Sequence, residues 1–168
     1  AGLLEDATPF EAIPAMGGMR TGFANTTMGR IAADALGTIG MAAWPPCMER
    51  LESGTPFGRA NAAVALQALR ARFNPQDQTF PRRLIEVFGS GEVDAQPGEK
   101  GRMALVLEAI ELPEVTEALH GSLGHSDKYF VATVLEILGR RRDSASIPVL
   151  ARTFLNHADA YCREKAGA

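Results

Sequence analysis

Apolar positions recur along the chain with helical spacing, and glycine or proline closes almost every apolar stretch. In Gly29–Gly40 the apolar and small residues Ile31, Ala32, Ala35, Leu36 and Ile39 read as one face of a helix. The outline returns as Gly58–Leu69, Lys100–Ile110 and Lys128–Gly139. A shift of thirty positions lays Ala32-Ala33 on Ala62-Ala63, Ala35-Leu36 on Ala65-Leu66 and Ile39 on Leu69. A degenerate unit repeated at this spacing predicts an all-α solenoid with no sheet.

Between these helices lies a second kind. Its members are expected at Trp44–Leu51, Phe80–Gly89, Pro113–Leu123 and Ile147–Leu155, and Phe10–Met19 reads as another. Most open on a bulky apolar residue followed by proline: Ile13-Pro14, Trp44-Pro45, Phe80-Pro81 and Ile147-Pro148. Proline fits because the first helical turn has no N–H obligation. The bulky residue before it is expected to pack back as a staple. With a further helix in His157–Lys165, the count is about ten. Gly40 and Gly139 are expected to close their helices, so Arg140–Arg142 would follow a stop. The longest link, 89–99, reads as a surface loop or a ligand-facing insertion.

These units resemble HEAT repeats, in particular the short bacterial kind first recognised in phycobilin lyases. The family's small-small-x-Ala-Leu-Gly-x-Ile-Gly segment stands here as Ala32-Ala33-Asp34-Ala35-Leu36-Gly37-Thr38-Ile39-Gly40, and its Pro-containing helix as Trp44–Leu51. The resemblance implies a right-handed α-α superhelix. Residues 1–168 would form one HEAT-like domain, a fragment of a longer array or closely joined to one. An unpartnered opening helix would expose Phe10, Ile13 and Met16, a surface suited to self-association.

Apolar residues make up 46 % of the chain and charged ones 22 %, a globular balance. The formal charge of -3 gives no general pull on a phosphate backbone, which disfavours nucleic acid as partner. No secretory signal or long apolar span is visible, so a cytoplasmic chain without membrane insertion is expected. Cys47 and Cys162 are the only cysteines and read as reduced thiols, Cys47 within a helix core and Cys162 near cations that would lower its pKa.

Candidate chemistry is sparse. His120 and His125 are five apart with a turn between, and no His-Glu pair or HExxH occurs, so no metal or cofactor site is expected. Glu108, Glu111, Glu114 and Glu117 can form an acidic stripe suited to a basic partner. Arg70 with Arg72, Arg82-Arg83 and Arg140-Arg141-Arg142 are either charged turns or an edge that grips phosphate or an acidic protein surface. The leading expectation is a non-enzymatic scaffold that binds a protein or peptide through Arg70, Arg72, Arg82, Arg83, Glu108, Glu111, Arg140, Arg141 and Arg142. The resemblance keeps two alternatives open: an accessory enzyme of the bilin lyase type, and a nucleic-acid-binding HEAT-like protein.

Overall fold

The computed structural model describes residues 28–91 and 97–167. Among these residues there are nine α-helices and no strand. The further helix expected at Phe10–Met19, and the exposed surface expected around it, lie outside the described residues. Among the described residues no helix is long and apolar enough to cross a membrane. The chain divides into two compact units, Ala1–Asp77 and Gln78–Ala168.

The first unit contains α1 (Met28–Ile39), α2 (Trp44–Ser53) and α3 (Pro56–Phe73). Both α1 and α2 pack on α3. Thr55 starts α3: its side chain accepts a hydrogen bond from Gly58 N at 3.2 Å, and Pro56 occupies the first turn. Ala60, Ala62, Ala63, Ala65, Leu66 and Leu69 are all fully buried on this helix. Alanine on several faces lets two helices approach α3 closely, which a larger side chain would prevent. Cys47 and Leu51 bury the inner face of α2, and Trp44 at its start is half-buried. Ile39, expected on the apolar face of α1, is instead 64 % exposed, one residue before the chain turns at Gly40.

The second unit contains α4 (Thr79–Gly89), α5 (Pro97–Glu108), α6 (Pro113–Gly121), α7 (Lys128–Arg141), α8 (Ile147–Asn156) and α9 (Ala160–Gly167). Helix α5 packs on α7 and α7 on α9, while α4 packs on both α5 and α6. The core follows from α7, which buries Phe130, Val131, Ala132, Val134, Leu135, Ile137 and Leu138. Because α4 runs through Gly89 and α5 starts at Pro97, the link between them is shorter than the expected 89–99.

Two turns share a device. His125 Nδ1 accepts from Asp127 N at 3.0 Å, and Asp127 Oδ1 then caps α7 by accepting from Phe130 N at 2.8 Å. Thirty-two positions on, His157 Nδ1 accepts from Asp159 N at 3.1 Å, and Asp159 Oδ1 accepts from Tyr161 N at 2.9 Å at the start of α9. Each His-x-Asp folds its own loop and supplies the next helix cap.

Two expectations are corrected. Gly139 does not stop α7: the helix continues to Arg141 and closes on Arg142, a non-glycine residue at φ 51°. Ile147 does not act as a staple: it is 64 % exposed, and α8 has no buried residue. Phe80 does fill that role at 0 % exposure.

The glycines at the two sites therefore differ in kind. Gly40 sits at φ 101°, ψ -168°, a conformation closed to side chains, although an added Cβ would meet only Phe73 at an ordinary 3.6 Å. Gly139 is helical, and an added Cβ would meet nothing within 4 Å. Urea denaturation is expected to show Gly40→Ala losing about 1–3 kcal/mol. Gly139→Ala is expected to gain up to about 1 kcal/mol. The opposite signs are what the measurement checks.

Candidate functional site

The C-terminal ends of α5 and α7 meet the start of α6 around an open groove of about 850 Å³. Helix α5 ends with carbonyls that have no partner within the helix. Arg141 supplies one: its Nη1 donates to the carbonyls of Leu107 at 3.3 Å, Glu108 at 2.9 Å and Ile110 at 2.8 Å. A guanidinium here also answers the negative end of the α5 dipole. Arg140 beside it binds the Glu108 carboxylate through two bonds, Nε to Oε1 at 2.7 Å and Nη2 to Oε2 at 2.9 Å.

The two arginines do not contribute equally. The Arg140 side chain is 49 % exposed, so its ion pair is worth about 0.2–1 kcal/mol. The carbonyl bonds of Arg141 are part-buried, and a hydrogen bond to a charged group is worth roughly 1.5–3 kcal/mol. Arg141 is therefore the main tie, even though its own Nε is buried without a hydrogen-bond partner among the described residues.

The far wall is tied as well. Thr116 on α6 donates its hydroxyl to Asp143 Oδ2 at 2.8 Å, and Asp143 Oδ1 accepts from Ala145 N at 3.0 Å. His120 Nε2 lies 3.0 Å from Ser146 Oγ. These contacts fix α6 against the turn between α7 and α8. Ser146 is fully buried, which withholds its hydroxyl from anything in the groove.

The electrostatics follow from this geometry. The hydrogen bond from Arg140 holds the Glu108 carboxyl below its ordinary 4.5, with burial opposing it and the charges of Arg140 and Arg141 assisting. The Ala145 amide and the Thr116 hydroxyl lower the Asp143 carboxyl in the same way. Four carboxylates line the groove, Glu108, Glu111, Glu117 and Asp143, against two guanidiniums, Arg140 and Arg141. Glu108 and Asp143 are committed to protein partners. Glu111 and Glu117 are exposed.

The structure thus gathers Glu108, Glu111, Arg140 and Arg141 at one groove. The other expected site residues lie elsewhere. Arg70 donates Nε to Asp77 O at 3.0 Å across the turn after α3. Arg72 lies over the Phe73 ring, 5.1 Å from its centroid. Arg82 is exposed on α4, and Arg83 pairs with Glu86 on the same helix. Arg142 closes α7. Thr116, His120 and Asp143 join the groove without a clear signal in the sequence, because each depends on a partner more than twenty residues away or across a turn.

The thiols are both free and fully buried. Burial pushes the Cys47 thiol up to about 11. The expected lowering at Cys162 is reversed: burial and the Asp159 charge raise it, against a smaller opposing effect of Lys128. Its Sγ packs beside Val131 and Leu135 and lies 3.5 Å from the Lys128 carbonyl. Among the described residues no group of three His, Cys, Asp or Glu side chains is placed to hold a metal ion. No family model matches this chain, and no curated protein or solved structure matches it either.

The lowered Glu108 value gives a pH dependence with a definite sign. A carboxyl lowered on folding stabilises the fold above its unfolded value, and the contribution is lost as pH falls through the folded value. Glu108→Gln is expected to cost about 0.5–1 kcal/mol near pH 7 after allowing for solvent screening. The difference from the unaltered chain should shrink as pH falls below 4.5 and vanish once the Glu108 carboxyl is protonated in the folded state, as followed by urea unfolding at pH 7 and across the acid range.

Proposed function

We propose that this chain is a binding module of stacked HEAT-like helix pairs, and that it takes a basic protein segment or peptide in the groove beside α6. One observation carries the reading: the arginines at the groove are spent on Glu108 and on the carbonyl end of α5, while Glu111 and Glu117 stand exposed at its wall. A groove so arranged attracts lysine and arginine and repels phosphate and acidic peptides. The contacts of α5 with α7, α7 with α9 and α4 with α6 support the stacked pairs, since alternate helices touch in such an array. Length and net charge agree with an interaction module, and the HEAT resemblance of Gly29–Leu69 supplies the repeat type.

A second reading, an accessory enzyme, is favoured by the meeting of His120, Glu117, Asp143 and Arg141 at one groove. The commitments of Asp143 to Thr116 and of His120 to buried Ser146 fit anchoring better than proton transfer. Under the enzyme reading, His120→Gln would abolish turnover of a substrate without altering peptide affinity.

Binding of a fluorescently labelled lysine-rich peptide, followed by anisotropy at low and high salt, tests the proposal. Glu111→Gln with Glu117→Gln is expected to weaken binding by roughly tenfold at low salt and to flatten the salt dependence. Unchanged affinity in the double variant would remove the basis for a basic partner.

A further inference from the structure

Two residues at the end of α7 stand where the backbone does not favour them, and both line one cavity. Gly139 lies within the helix, where alanine is the better former. Arg142 closes the helix at φ 51°, ψ 29°, and it is the one non-glycine residue at positive φ among the described residues. Glycine is the usual residue at such a close, because a Cβ is strained there. Alanine at 139 and glycine at 142 would suit the helix better. Packing does not account for the choice, since a Cβ added at Gly139 would meet nothing within 4 Å. Nor do contacts of Arg142: its guanidinium makes no hydrogen bond, ion pair or ring contact among the described residues. Departures from local preference that the fold does not use point to function.

The cavity, about 390 Å³ and open, lies between the C-terminal halves of α7 and α9. Gly139, Arg140, Arg142 and Lys165 line it, together with Glu136 and Leu135. It shares only Arg140 with the acidic groove. Three of its side chains are cationic and one is anionic. Lys165 answers Glu136 at 2.6 Å, and Arg140 holds Glu108 through two bonds. Those pairs leave the charge of Arg142 unanswered. An ammonium carries three donors, so Lys165 can hold Glu136 and still donate into the cavity.

We propose that this cavity binds a small oxyanion, a phosphate group or a carboxylate, gripped by the Arg142 guanidinium with Lys165 beside it. A guanidinium presents its donors as a planar fork that matches either group. The volume falls in the range of small-molecule sites, and the missing side chain at Gly139 keeps the space open. The rival account is that Arg142 only answers the negative end of the α7 dipole. Arg140 and Arg141 already do so from the last turn, without a positive φ.

The test uses the whole chain, labelled with ¹⁵N and titrated with inorganic phosphate or with acetate, against sodium chloride at matched ionic strength. The backbone amides of Gly139 and Arg142 and the Arg142 Nε–H report. Saturable shifts that chloride does not reproduce are expected. Saturation by phosphate alone assigns the site to phosphate groups, by acetate alone to carboxylates, and by both to oxyanions generally. Arg142→Gly should weaken binding at least about tenfold while leaving the unfolding midpoint no lower, because glycine suits the close. Gly139→Leu should weaken it as well, by filling the cavity. Arg82→Gln removes an exposed arginine on α4 and should leave the affinity unchanged. If one of the two cavity variants does not fold, the other decides alone. Shifts that do not saturate, affinity unchanged in the cavity variants that fold, or an equal loss in Arg82→Gln would overturn the proposal.

Discussion

The end of α5 needs hydrogen-bond donors, and Arg141 brings them from another helix. A helix that stops beside a packed neighbour leaves carbonyls with no intrahelical partner, and burying them unpaired costs more than most single contacts return. Through one nitrogen Arg141 reaches three of the carbonyls around the end of α5. That bond set holds the α5 and α7 ends together, and the acidic groove is the space left in front of it. Arg140, held flat against Glu108, completes the wall and uses up a second positive charge. The groove is acidic because its arginines are structural.

The same economy explains the other ties in the second unit. Asp143 and His120 bind Thr116 and Ser146, and the two His-x-Asp turns cap α7 and α9. Each polar group does local work at a helix end, where backbone groups would otherwise lack partners. Few are left over. Among the described residues of the groove, Glu111 and Glu117 are the carboxylates that stand exposed.

Much of the helical layout could be read from residues alone. The Ala-Ala-x-Ala-Leu outline is buried where expected on α3, and proline begins α2, α3 and α6 as the first-turn rule implies. Prolines and most glycines act locally, so their effects are legible without a fold. The departures came from long-range partners. Gly139 resembles a stop, but the α7 tail continues because Arg140 and Arg141 find partners on α5, and so the closing position passes to Arg142. The choice between a charged turn and a gripping edge at Arg140–Arg142 is not legible in the chain for the same reason: the groups that bind the first two lie more than thirty residues away. Ile147 is exposed, and α8 as a whole has no buried residue. The repeated His-x-Asp spacing was visible in the chain, and would have located two helix starts.

The structural role of Arg141 can be observed directly through its side-chain NMR signals. If the guanidinium holds three carbonyls, its Nη hydrogens should exchange slowly with water and its C–N rotation should be restricted, while the exposed Arg142 beside it averages freely. Arg141 and Arg142 averaging alike would mean that the α5 end is not held in this way, and that the arginines remain available to ligands.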